Sequence, residues 1–168
     1  MKHSFFLALI LIVLSLAGCK NLGKKGGGSY SGADGDYVSG TPLPERQEGV
    51  SFMSDNVDKK RFSSIHFGFD SYSIESSEEG KLEQIAEFLK SGSSSIIIAG
   101  FTDERGTPEY NRGLGERRAQ STRQWLISHG GDGGKLQTVS FGAEMPVDSG
   151  SSESAWAKNR RAEFGVVK

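Results

Sequence analysis

Between residues 59 and 168 the apolar positions change period several times. Ile65, Phe67 and Phe69 alternate with His66 and Gly68, the period of a half-buried strand. Ser76 and Glu79 have capping-box spacing. Leu82, Ile85, Ala86 and Leu89 then recur at i, i+3, i+4 and i+7, which predicts an amphipathic helix closed by Gly92. Ser95 to Phe101 (SIIIAGF) is an almost unbroken apolar run and predicts a buried strand. Thr107 and Pro108 are an N-cap followed by proline at the first helical position. Gly113 and Gly115 come soon afterwards, and each costs about 1 kcal/mol inside a helix. The expectation is therefore one turn over 108–111, a break, and a long helix over 116–128 capped by Gly115. Ala119, Thr122, Leu126 and Trp125 would face the sheet. Val139 and Phe141 predict a third strand, 154–159 a short helix, and Ala162, Phe164 and Val166 a last strand.

Strands interleaved with helices indicate an α/β fold. A body this small suits a two-layer sandwich, with helices packed on a mixed four-stranded sheet in the order βαβαβ(α)β. The short run from the 154–159 helix into the last strand argues against a fully parallel sheet.

The N-terminal third reads differently. Lys2 and His3 precede an apolar run from Phe5 to Leu16. That run is too short for a membrane span of about 20 residues and suits the core of a signal peptide. Leu16-Ala17-Gly18-Cys19 resembles the lipobox of bacterial lipoproteins. The resemblance implies a signal peptide over 1–18, cleavage before Cys19 and acylation of that residue. Two or more acyl chains anchor stably, since each buried CH₂ contributes ~0.8 kcal/mol. Lys20 stands where lipoproteins kept in the inner membrane often carry Asp, so the resemblance implies the outer membrane. Residues 20–50 are rich in Gly, Ser and charge, with apolar residues scattered singly, a composition that cannot offset its ordering entropy. We expect a flexible tether over 19–58, then one folded domain over 59–168. A flexible chain of ~40 residues spans roughly 35 Å.

Net charge is −1, with no basic bias toward nucleic acid. The only cysteine is Cys19, so no internal disulfide is possible. His66, His129 and Cys19 show no metal-ligand spacing, and no cofactor motif is present. HGGDGGKL (129–136) fails the phosphate-loop template at its first glycine and its last position, and it leaves a helix instead of opening one.

Candidate chemistry gathers after the 95–101 strand, in TDERGTPEYN (102–111). Two carboxylates and a guanidinium arrive at the end of a buried strand. With the long helix starting at Gly115, Arg117 and Arg118 would lie in its first turn. Cations are unfavourable there unless an anion joins them or Asp103, Glu104 or Glu116 compensates. A pocket with carboxylates on one wall and guanidinium on the other suits a ligand bearing both an ammonium and a carboxylate.

GFTDERGTPEYNRGLGERRAQS (100–121) closely resembles the signature of OmpA-like peptidoglycan-binding domains, in the variant carried by peptidoglycan-associated lipoproteins. FGFDSYSI (67–74) and KNRRAEF (158–164) match the flanking blocks in order. The resemblance implies non-covalent binding of the peptidoglycan stem peptide at meso-diaminopimelate. Asp103 would take the ammonium of that residue and Arg118 its carboxylate. Asp70 would add a second acceptor, Leu114 would line the pocket, Thr102 and Asn111 would hydrogen-bond loop and ligand, and Arg160 would buttress the site. The family also implies a partner, the periplasmic propeller protein TolB, competing for an overlapping surface, and a role in envelope integrity and cell division. The match departs at Phe101, where these lipoproteins often carry His or Asn.

Blander readings remain beside these. Glu104 and Arg105 could pair with each other in solvent, Arg117 could be solvated or face a partner, and Arg161 should point to the opposite face from Arg160 and be structural. Trp125 and Trp156 are expected in the core. Two alternatives to the wall-anchoring reading are a wall-binding lipoprotein without a Tol partner, and a hydrolase using Asp70 and Asp103 as a carboxylate pair. Nothing in the sequence supplies an activated nucleophile or a metal, so the chain is expected not to be an enzyme.

Overall fold

The computed structural model describes residues 51–92 and 94–168. The expected signal peptide, Cys19 and most of the tether lie outside the described residues. No described helix is long and apolar enough to cross a membrane. The elements are β1 (Val57–Asp58), β2 (Ile65–His66), α1 (Ser76–Ser91), β3 (Ile96–Phe101), α2 (Pro108–Ser128), β4 (Leu136–Gly142), α3 (Glu153–Asn159) and β5 (Arg161–Val167). A short 3₁₀ turn, Gly133–Lys135, leads into β4. The fold is mixed α/β, as expected.

The sheet has five strands, one more than expected, in the order β1-β5-β3-β4, with β2 also paired to β5. β3 and β4 run parallel and the remaining pairings are antiparallel. Period-two alternation divides β3 between two cores. Ile96 and Ile98 join Phe164, Val166 and Leu136 beneath α1 and α2. Ile97, Ala99 and Phe101 face the other side, where Phe52 and Val57 cover them. The packed body therefore begins before Lys59: Phe52 is 4 % and Val57 6 % exposed. The scattered apolar residues of 51–58 gave no period because they form one edge pairing and one plug.

Three local expectations need correction. β2 ends at His66, and Phe69 is 62 % exposed. Alternation beyond Phe67 fails because the chain leaves the sheet, its last tie being Phe67 N–H to the Arg160 carbonyl at 3.0 Å. The capping box does not form: Glu75 is the N-cap, without a side-chain cap, and Ser76 is already helical. Glu78 instead ties α1 to β2, accepting from His66 N–H at 3.1 Å and from Lys81 Nζ at 2.7 Å. Third, α2 is unbroken from Pro108 to Ser128, with Thr107 accepting from Tyr110 N–H as its cap. Gly115 does not start a helix. It lets α2 touch β3, because a Cβ there would lie 2.9 Å from the Gly100 carbonyl oxygen. Leu82, Ile85, Ala86 and Leu89 on α1, and Ala119, Thr122 and Leu126 on α2, are buried as expected.

Candidate functional site

β3 ends at Phe101 and drives the next two residues into the protein: Thr102 is 3 % and Asp103 4 % exposed. Thr102 N–H donates to the Gly142 carbonyl at 2.9 Å, where β4 turns with Gly142 at φ 52°. A Cβ at Gly142 would press on the Asn111–Arg112 backbone at 3.1–3.2 Å, so glycine answers both the positive φ and the close approach. The 67–72 loop closes the far side. Between β3, that loop and the first turns of α2 lies a pocket of about 180 Å³.

Arg118 forms its floor. Because α2 is continuous, Arg118 sits about three turns inside the helix, so the expected attraction of a helix N-terminus does not apply. The residue is fully buried. Its Nε donates to the Ser71 carbonyl at 2.8 Å, Nη1 to the Phe101 carbonyl at 2.8 Å and Nη2 to the Gly68 carbonyl at 3.1 Å. Burial lowers its pKa to about 10, while the Asp103 charge opposes the shift. It therefore stays cationic at neutral pH. Three of its five N–H donors are occupied by carbonyls, leaving two for a further acceptor.

Asp103 lines the same pocket. Its carboxylate accepts from Arg105 Nη2 at 2.6 Å, Nε at 3.1 Å and backbone N–H at 3.2 Å, and from Arg160 Nη1 at 3.5 Å. Burial pushes the carboxyl up, but the hydrogen bonds and charge of Arg105, with Arg160 behind, outweigh it and hold the group below the ordinary carboxylate range. A carboxyl held this way is a poor proton donor near neutral pH. Its chemistry is charge pairing.

Asp70, in the left-handed region at φ 49°, accepts a hydrogen bond from the Tyr110 hydroxyl. Asp tolerates that conformation better than most residues. Leu114 supplies an apolar wall and is 4 % exposed. Asn111 is 2 % exposed and also lines the pocket. Thr102 Oγ1 is the only buried side-chain polar atom without a hydrogen-bond partner among the described residues. Arg160 stands behind the pocket, donating to the Phe67 carbonyl at 3.0 Å and pairing with Glu153 at 2.7 Å and Asp103 at 3.5 Å. The structure thus gathers Asp70, Thr102, Asp103, Asn111, Leu114 and Arg118 around one pocket, with Arg160 supporting Asp103.

Several neighbours were not anticipated. Arg105 does not pair with Glu104. Its guanidinium carbon lies 4.0 Å from both the Phe69 and Trp156 ring centroids while its donors grip Asp103. Trp156 is not a core residue; its indole N–H donates to Glu104 at 3.0 Å. In the sequence Phe69 carries the period of a strand, and nothing in the spacing links Trp156 to a loop some fifty residues earlier. Phe101 turns its ring to the helix-free face, stacked on Phe141 at 5.3 Å beneath Arg161 at 3.8 Å. It serves the pocket through its carbonyl. Arg161 lies on the opposite face from Arg160, as expected, bonded to Glu163 and to the Met145 carbonyl. Among the described residues no group of His, Cys, Asp and Glu could hold a metal ion.

The OmpA family model matches residues 66–160. A protein of Pseudomonas aeruginosa named peptidoglycan-associated lipoprotein is 34 % identical over 165 residues, covering 98 % of this chain and 97 % of that one. Its namesake in Haemophilus influenzae is 44 % identical over 105 residues, 62 % of this chain and 69 % of that one. The crystal structure of the peptidoglycan-associated lipoprotein from Burkholderia pseudomallei superposes with a TM-score of 0.60 at 44 % identity, covering 61 % of this chain and 88 % of that one.

Proposed function

Because the chain belongs to the OmpA family, we propose that it is a lipoprotein that anchors the outer membrane to the cell wall by binding peptidoglycan non-covalently. Its similarity over nearly the full length to a peptidoglycan-associated lipoprotein supports the coarse reading. The finer reading is that the ligand is the meso-diaminopimelate residue of the stem peptide. The side-chain end of that residue carries an ammonium and a carboxylate on one carbon. Arg118 offers the carboxylate two unused donors. Asp103 offers the ammonium an ionised partner, Arg105 yielding part of its grip, and Asp70 adds a second acceptor. Leu114 packs on the methylene chain between.

The observation that carries this reading is the unfinished polar wall of the pocket. Thr102 Oγ1 is buried without a partner beside an ionised carboxylate and a cationic guanidinium. Buried polar atoms are nearly always paired, and Thr102 is one of the residues lining this pocket, so its orphan hydroxyl is a candidate for a ligand group. A hydrolase reading is less well supported, because Arg105 and Arg160 keep Asp103 charged and deny it a proton to give.

The anchor is Cys19, acylated after removal of residues 1–18, which places the domain on the periplasmic side. A TolB-like propeller protein that competes with the wall for an overlapping surface completes the reading, with roles in envelope integrity and cell division. The alternative is the same wall anchor without a Tol partner.

Calorimetric titration of the full chain in detergent tests the site. A stem peptide with meso-diaminopimelate should bind, and its lysine counterpart, which lacks the second carboxylate, should bind at least tenfold more weakly. Equal binding would remove the carboxylate contact from Arg118, and binding of neither would refute the wall-anchoring reading.

A further inference from the structure

Arg117 is the neighbour of Arg118 in α2 but lies on the exposed side of the helix. Helical side chains lean toward the N-terminus of their helix. One turn earlier stands Gly113, where a Cβ would approach Arg117 Nη1 at 3.7 Å. The bare glycine leaves a strip along which the guanidinium reaches back toward the pocket mouth. There it lies between two aromatic rings, its carbon 5.8 Å from the centroid of Tyr72 and 5.8 Å from that of Tyr110. Tyr110 lines the pocket and bonds to Asp70. Flanking rings restrict the planar guanidinium.

Arg117 has no carboxylate within 4.0 Å among the described residues. The other arginines around the site are all engaged: Arg105 and Arg160 with Asp103, Arg112 with Glu144, and Arg118 with three carbonyls. A cation at the rim whose internal contacts are two tyrosines, with no carboxylate among them, suits an anionic group of a ligand that emerges from the pocket.

We infer that Arg117 is a second anion contact, taking the free α-carboxylate of the γ-linked glutamate that precedes the diamino acid in the stem peptide. This rests on the wall-binding reading above and extends it by one residue of ligand. With the diamino-acid side chain in the pocket, its backbone and the preceding residue lie at the mouth, beside Tyr110 and Arg117. The site then discriminates between walls whose glutamate is free and walls in which it is amidated.

The test uses two stem peptides with meso-diaminopimelate, one with glutamate and one with isoglutamine in its place, titrated calorimetrically into the full chain and its Arg117→Gln variant. The glutamate peptide should bind wild type roughly three- to tenfold more tightly, the range of an exposed but stacked ion pair. The variant should bind both peptides equally, at about the affinity of wild type for isoglutamine, with unchanged thermal unfolding. Equal binding of both peptides to wild type would overturn the inference while leaving the wall-binding reading intact. Discrimination that survives in Arg117→Gln would assign the carboxylate to another residue and equally overturn it. If neither peptide bound wild type, the wall-binding reading itself would fall, and the inference with it.

Discussion

Gly100 in β3 and Gly115 in α2 meet backbone to backbone, with a Cβ on Gly115 falling 2.9 Å from the Gly100 carbonyl oxygen and a Cβ on Gly100 overlapping the Gly115 carbonyl. This contact sets the height of α2 above the sheet and so the depth at which Arg118, one turn further on, enters the pocket.

Gly115→Ala should therefore destabilise the domain by about 1–3 kcal/mol, the usual cost of overpacking, despite the higher helix propensity of alanine. Gly113→Ala is the control. Its Cβ would meet only Arg117 at ordinary contact distance, so the propensity gain of roughly 0.5–1 kcal/mol should appear as added stability. Urea unfolding of both variants measures the difference. Two stabilised variants would mean that the glycine pair does not set the approach.

Phe52 caps the helix-free core against Ile97, Ala99 and Phe101, with its ring 5.8 Å from that of Phe141. A chain begun at Lys59 would uncover this face and lose the β1–β5 pairing. Thermal unfolding should show it markedly less stable than a chain begun at Ser51, and Phe52→Ala alone should cost about 3–5 kcal/mol. Equal melting of the two chains would make residues 51–58 a mere extension.

The long periodic segments were legible because each has one buried face and one solvent face. α1 is written that way, and so are the buried residues of α2; β5 showed its Ala162, Phe164 and Val166 alternation although its other face is also covered. What misled were glycines. Gly113 and Gly115 look like helix breakers by propensity, yet a position that must touch another backbone also requires glycine, and single-sequence spacing does not tell these apart. The error displaced Arg118 from mid-helix to an imagined N-terminus, so a residue that does line the pocket was named for a mistaken electrostatic reason. Arg105 and Trp156 were misjudged because their partners come from α3, the 67–72 loop and the 102–107 turn, which no local pattern connects. The plug at Phe52 was invisible for the same reason: one aromatic in a polar segment carries no period.

Asp103 gives the domain an acid-side instability. Its folded carboxyl titrates below the unfolded value of about 3.9. The stability it confers is thus present above that unfolded value and lost as pH falls through the lower, folded one. Stability measured by urea unfolding should fall more steeply toward pH 2 in wild type than in Asp103→Asn, and the two curves should converge in acid. Parallel curves over the whole range would show that the Arg105 and Arg160 bonds do not hold the carboxyl down.

Thr102→Val separates the site from the fold more cleanly than any charge change. Threonine and valine have nearly the same shape and the same preference for extended backbone. The Oγ1 of Thr102 is buried without a partner, and an unsatisfied buried hydroxyl costs the folded state about 1–3 kcal/mol. Valine removes that cost and keeps the backbone bond to Gly142. The variant should be as stable as wild type or up to about 1 kcal/mol more stable. If the hydroxyl serves a ligand, the same variant should bind the diaminopimelate stem peptide more weakly by about 0.5–1.5 kcal/mol, one hydrogen bond. Opposite signs for stability and affinity are what a residue kept for binding produces. A loss of stability with unchanged affinity would mean that the hydroxyl serves the fold.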